Sequence, residues 1–341
     1  MRKAPQIIIA LILLIFIGWG GYWVVGSQAT ERVLAGWFED RRAEGWTAQY
    51  DSLNTAGFPS RFDTTITDLN IADPETGIAW SAPIFQNLSL SYSPTEVIAV
   101  LPGEQVFATR DASHRITSET FRASASFAPA VELPIRRSVI EIDGATIATT
   151  ARGETRETGL EHAQISMRET PDRQGHVYDF DVNATGIRPD PALLSGARNA
   201  GAIPEVIDRA RLTATVRFDN PWDRFAIERA RPQPREIELT RLSVDWGALT
   251  LDATGVLVVG QNGVTEGEVD VKAENWRDMI AVAQAAGAVP EMLVGTITRA
   301  GEMLARLSGD PETLDATLRF ENGRAFLGPV PLGPAPVIRL P

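Results

Sequence analysis

Side chains able to do chemistry are sparse in this chain and poorly spaced for it. The three histidines, His114, His162 and His176, stand far apart and follow no metal-ligand spacing. Each is expected on the surface or in a loop. Glu266, Glu268 and Asp270 recur at every second residue, so a strand would carry all three on one face. Three carboxylates could hold Ca²⁺, but they also make an ordinary solvated strand face, and we read them as that. Arg229, Arg231 and Arg235 gather around Pro232 and Pro234, as a solvent-exposed linker would allow. The chain has no G-x-S-x-G, no H-E-x-x-H, no glycine-rich phosphate loop ending in Lys and no C-x-x-C. It has no cysteine, which removes thiolate nucleophiles, thiolate metal sites and disulfides. No residue is therefore singled out as catalytic, cofactor-binding or metal-ligating, and no cofactor is expected.

The charge balance narrows the partners. Lys and Arg total 32 against 44 Asp and Glu, for a net charge of −12. Such a chain lacks the basic footprint of a nucleic-acid binder and is repelled by an anionic bilayer surface. Any membrane attachment must be apolar. The 341 residues, 44% of them hydrophobic, suffice for about two folded units with cores of their own.

The elements that would position any site begin with MRKAPQIIIALILLIFIGWGGYWVVGSQAT. Ile7 to Val25 is a run of 19 residues without a charge. As a helix it is about 28 Å long, near the roughly 30 Å of a bilayer core. Trp19, Tyr22 and Trp23 lie toward its far end, where aromatic rings favour the lipid–water interface. Arg2 and Lys3 precede it and favour a cytoplasmic N-terminus. The run exceeds a signal-peptide apolar region, so an uncleaved anchor is expected over cleavage after Ala29. In TERVLAGWFEDRRAEGW, residues Val33, Leu34, Trp37 and Phe38 fall on one helical face, with Gly45 as a stop.

After Trp46 the period changes to two. Phe62, Thr64 and Ile66 alternate with polar residues, as do Leu88, Leu90 and Tyr92, then Tyr178, Phe180 and Val182, then Leu242, Val244 and Trp246. This predicts many antiparallel strands with one wet face. Turns are expected at 73–77, Asp143-Gly144, Asn262-Gly263 and Asn322-Gly323. Helices are expected over Pro94–Leu101, Ala192–Ala210 and Trp276–Leu307.

One word is written almost twice: AGAIPE at 200–205 and AGAVPE at 286–291. Each copy follows a D-V-x-A word (181–184, 270–273) and precedes an A-T-x-R-F word (214–218, 316–320). Three words in the same order predict a duplicated strand–helix–helix–strand unit. Gly201 and Gly287 would end the first helix, and Pro204 and Pro290 would open the second.

The expected fold is α+β, mainly β. It comprises a transmembrane anchor over 1–29, an amphipathic helix over 30–45, a β-rich part over 46–176 and a second over 177–341. The last contains the copies at about 177–220 and 265–322.

Two stretches carry a family resemblance. They are AGFPSRFD at 56–63 and FENGRAFLGPVPLGPAP at 320–336. Together they resemble the domain of unknown function 2125 family of α-proteobacterial envelope proteins, a family that implies no activity or catalytic residues. More distantly, an N-terminal span followed by repeated amphipathic strands is similar to AsmA-like envelope proteins, which resemble lipid-conducting β-grooves. Gly57 and Pro59 should form a turn launching the first strand. The proline-rich end should be an edge strand or a covering extended segment. The function expected is non-enzymatic: an inner-membrane, single-pass protein with its bulk in the periplasm, acting as a scaffold or as a binder or carrier of lipid-like apolar ligands. The alternative is an envelope hydrolase whose catalytic group is assembled by geometry rather than written as a motif.

Overall fold

The computed structural model describes residues 3–192, 203–226, 231–287, 289, 291–308 and 310–340. Two compact units divide the chain. Unit 1 comprises residues 1–126 and 149–154, and unit 2 comprises 127–148 and 155–341.

Unit 1 opens with helix α1 (Lys3–Ala43). One stretch of it is long and apolar enough to cross a membrane. The helix stops where Trp46 N–H bonds Arg41 O and the chain turns into strands. Eight strands come next: β1 (Thr47–Gln49), β2 (Ser52–Ala56), β3 (Arg61–Ala72), β4 (Ala79–Leu90), β5 (Ser93–Val100), β6 (Gln105–Ala108), β7 (Ala112–Thr117) and β8 (Thr120–Phe127). Their pairing is antiparallel. β3 takes β1, β2 and β4, while β4 also takes β5 and β6. β5 pairs with β8 and β6 with β7. The period-two pattern of β3 changes phase at Asp68, which has a φ of 49°. Phe62, Thr64 and Ile66 are buried before it and Leu69 after it. The core gathers Phe38 of α1 with Ala48, Ile66, Leu69 and Ala82.

Unit 2 is a meander. Its strands are β9 (Ile135–Ala151), β10 (Glu154–Glu169), β11 (His176–Ile187), β12 (Ile207–Phe218), β13 (Pro234–Trp246), β14 (Leu249–Val259), β15 (Thr265–Glu274), β16 (Thr313–Glu321), β17 (Arg324–Leu327) and β18 (Val330–Pro334). The 149–154 tip of the β9–β10 hairpin belongs to unit 1. From β10 to β18 each strand pairs antiparallel with the next. Helices α2 (Trp276–Ala285) and α3 (Glu291–Ser308) form the excursion between β15 and β16. Trp276 is 1% exposed and seats α2 and α3 on Ala273, Leu314, Ala316 and Leu327. Its indole N–H donates to Pro311 O at 3.1 Å.

The turns at 73–77, 262–263 and 322–323, and the helices inside 276–307, lie where the sequence places them. The C-terminal run forms β18, which pairs with β17, and extends past it as a covering segment. There Thr265 N–H bonds Pro336 O and Ile338 N–H bonds Gly263 O.

Several expectations are corrected. Residues 94–100 belong to β5, not to a helix. Pro94 is the second residue of a strand whose burial alternates from Ser93 to Ala99. Asp143-Gly144 lies inside β9, and the two-residue turn falls instead at Arg152-Gly153, both with positive φ. The turn at 57–60 launches β3, but two short strands precede it. Of the helix expected over 192–210, residues 193–202 lie outside those described and Ile207 to Ala210 are strand.

Among the described residues, the repeated words do not lead into the same kind of element. Glu291 opens α3, whereas Pro204 leads within three residues into β12. The first copy's Ala200, Gly201 and Ala202, and the second's Ala288 and Pro290, lie outside the described residues. Both copies contain adjacent antiparallel strands. Yet Ala214 faces Phe180 whereas Ala316 faces Val271, the counterpart of Val182.

Candidate functional site

The motif residues 56–63 lie against helix α1. Gly57 has a φ of +102°, and an added Cβ would stand 2.8 Å from Cβ of Arg61, so this sharp turn requires glycine. The turn presents its carbonyls to the aromatic residues of α1. Trp19 Nε1–H donates to Pro59 O at 2.8 Å, and Trp23 Nε1–H to Arg61 O at 2.7 Å. Tyr22 O–H donates to Ser91 O at 2.6 Å. Phe58 meets Trp23 edge-on at 5.4 Å and Phe16 at 6.2 Å, while Phe62 stacks on Trp23. Gly26 gives the ring of Phe62 its space, since a Cβ there would come within 2.5 Å of Cζ. Further along, Glu31 accepts from Thr55 N–H at 2.6 Å, and Phe38 packs on Tyr50. The helix is fixed to unit 1 from Phe16 to Phe38.

Unit 2 carries the second feature. The register sorts its side chains into two unlike faces. One face runs Ser166–Asp181–Thr213–Arg241 and Arg168–Asp179–Thr215–Glu238 across β10 to β13. It is laced with hydrogen bonds, including Thr213 Oγ1–H to Asp181 and the paired Arg173–Glu238 contacts at 2.7 and 3.1 Å. Burial alone would raise the Asp179 carboxyl, but hydrogen bonds from Thr215, Thr170 and Arg168 outweigh it and hold the pKa below the usual carboxylate value. A shallow cleft of 390 Å³ on this face is lined by Gln164, Asp181, Asn183, Arg211, Thr213, Thr240 and Arg241. This is a solvated polar ladder.

The other face runs Ile165–Val182–Leu212–Leu242 and Met167–Phe180–Ala214–Leu239. It continues through Ala253, Val271 and Ala316 on β14 to β16. Helices α2 and α3 cover that far side, where Ala253, Ala273, Leu314 and Ala316 are buried. Across β10 to β13 the cover thins. Ile165 is 40% exposed, and Val182, Leu212, Leu239 and Leu242 are half-buried. None of these five belongs to a buried cluster among the described residues. Three strand spacings make this strip about 14 Å wide. Chemically it can take apolar chains and little else, because an ion placed there would lose its hydration without gaining a partner.

The carboxylates Glu266, Glu268 and Asp270 share the exposed face of β15, and Asp270 accepts from Thr317 Oγ1–H at 2.6 Å. Arg229 lies outside the described residues. Pro232 and Pro234 are buried, so this stretch is not an exposed linker. Arg235 is paired with Asp219 at 2.7 Å, and burial opposed by hydrogen bonds from Gln233, Arg235 and Asn220 leaves the Asp219 pKa lowered. His114 and His162 sit in strands rather than loops. His114 Nδ1 contacts Thr149 Oγ1 at 3.0 Å, and His162 Nδ1–H donates to Asp143 at 2.6 Å. His176 begins β11. Sequence reasoning missed that the β9–β10 hairpin brings Glu141, Asp143 and His162 together, with donor atoms within 4.8 Å of one another. The two acidic residues are two apart on β9, which was the available signal. The grouping is half-exposed, and its imidazole–carboxylate contact is already a satisfied hydrogen bond.

A family model described as "Uncharacterized protein conserved in bacteria (DUF2125)" matches residues 23–336. No curated protein and no solved structure matches the chain.

Proposed function

The chain belongs to the DUF2125 family of bacterial proteins, and from this premise we propose that it is a membrane-anchored periplasmic protein that binds lipid-like apolar ligands. The strip Ile165–Val182–Leu212–Leu242 would receive acyl chains. The observation that supports this reading most is that strip itself. Aliphatic side chains continue in register across four strands, half-buried, beside the region where α2 and α3 bury the same face. Soluble proteins rarely leave such a surface open without a binding role. Each CH₂ laid on it contributes about 0.8 kcal/mol, so affinity needs no specific polar contact. The anchor helix would keep this surface close to a source of lipid, with Arg2 and Lys3 on the cytoplasmic side.

The test is mass spectrometry of lipid extracted from the detergent-purified protein, beside the variants Leu212→Asp and Ala316→Asp. Lipid should accompany the unmodified protein. Leu212→Asp should fold but lose it, because the charge lands on a half-open surface. Ala316→Asp, under the helices, should unfold unit 2. If Leu212→Asp unfolds as Ala316→Asp does and the unmodified protein carries no lipid, the face is an ordinary core and the reading is wrong.

A further inference from the structure

Helix α1 is docked to unit 1 too early for the bilayer to end below the dock. Its first ring contact with the body is Phe16 on Phe58, with centroids 6.2 Å apart. The part before that contact, Lys3 to Ile15, is 13 residues. At 1.5 Å per residue it is about 20 Å long, roughly 10 Å short of a bilayer core. The missing length must come from residues 16–22, and those carry the body with them. Trp19 and Tyr22 hold Pro59 and Ser91 at 2.8 and 2.6 Å.

We propose that the tip of unit 1, made by the turn at 57–60 and the loop at 90–92, is itself immersed in the lipid at the interface where α1 leaves the bilayer. This rests on the reading of α1 as an uncleaved anchor. Three observations converge on the same occupant, the bilayer holding α1. The side chains that the tip turns outward are apolar or aromatic: Phe58 is 49% exposed, Leu90 36% and Tyr92 65%. Its carbonyls are supplied with donors from the helix, which irregular backbone at membrane depth requires because lipid offers none. Trp19, Trp23 and Tyr22 give those donors to Pro59, Arg61 and Ser91. The nearest charges, Arg61 and Asp63, are paired with each other at 3.0 Å, and Arg61 is long enough to reach the headgroups. The surface recognised is the acyl–glycerol boundary rather than anionic headgroups, in keeping with a net charge of −12.

The absence of cysteine makes the test direct. Single variants Ile12→Cys, Phe58→Cys, Tyr92→Cys and Glu75→Cys would each be labelled with an environment-sensitive fluorophore. The full chain would be reconstituted in phosphatidylcholine–phosphatidylglycerol vesicles containing lipids doxyl-labelled at both shallow and deep positions. Position 12 reports the anchor, and position 75 lies at the far end of β3. Tyr92→Cys guards against loss of the Phe58 contacts in the other variant. Labels at 58 and 92 should be quenched to within about twofold of position 12 and emit to the blue of position 75. Quenching at 12 alone, with 58 and 92 matching 75, overturns the proposal while leaving the anchor in place. No quenching at 12 removes the anchor reading and the proposal with it.

Discussion

Replacing Gly26 by Ala gives opposite signs depending on whether α1 is docked. In an undocked helix the change is favourable by up to about 1 kcal/mol, because Gly is the poorest ordinary helix former. In the docked helix the new Cβ stands 2.5 Å from Cζ and 3.1 Å from Cε1 of Phe62. That ring cannot move aside cheaply. It is buried and lies between Trp23 and Tyr22, each with its centroid 6.2 Å away. Overpacking against a fixed neighbour costs about 1–3 kcal/mol, and the short approach places this case at the upper end. After the propensity gain, the expected net loss is about 2 kcal/mol, or about 4–8 °C in the melting temperature of unit 1. The assay is thermal unfolding in detergent followed by tryptophan fluorescence. Gly36→Ala is the control, since nothing lies within 4 Å of its would-be Cβ. It should be neutral or slightly stabilising. The double variant Gly26→Ala with Phe62→Leu, which deletes the colliding carbon, should recover part of the loss. If Gly26→Ala melts at or above the unmodified protein, the helix is not packed on Phe62 and the docking argument fails.

In unit 2, Trp276→Ala should cost about 3–5 kcal/mol in urea unfolding, because the ring is 1% exposed and seats both helices; a loss under about 1 kcal/mol would contradict that packing. Acid sensitivity follows from Asp179 and Asp219, whose pKa values are lowered in the folded state. Their stabilisation is present above the unfolded value near 3.9 and disappears as pH falls through the folded values. Melting temperature should therefore drop on acidification below about pH 4, less steeply in Asp179→Asn; a rise over that range would refute the sign.

The strand body was legible because burial imposes period two on each segment, as in Phe62, Thr64 and Ile66. The family motifs were legible because their glycines and prolines perform backbone tasks that few other residues can. Pro94 misled because proline suits the first turn of a helix and the opening of a strand alike, and only the neighbouring strands decide. Asp143-Gly144 misled because a left-handed glycine can sit within a strand as well as turn one. The repeated words did not predict the following element because AGA-x-PE leaves it open, a strand after Glu205 and a helix from Glu291. That the apolar strip is left partly uncovered could not be read. Alternation announces an apolar face, but whether a helix covers it depends on where α2 and α3 land, which is a tertiary fact. The grouping of His162 with Asp143 was hidden by the same long-range pairing.

Helix α1 runs from Lys3 to Ala43 without interruption, and contacts at Trp19, Tyr22, Trp23, Glu31 and Phe38 hold it to the body of unit 1. As a proposed anchor it would therefore act as a crank rather than a tether. A flexible leash would let unit 1 swivel while the membrane segment tilted or turned beneath it. Here the helix is continuous, so tilt of its N-terminal part in a bilayer, if α1 spans one as proposed, would be passed on to unit 1. On the proposed reading of α1 as an anchor, bilayer thickness, which a span accommodates partly by tilting, would become a mechanical input to the angle at which unit 1 stands.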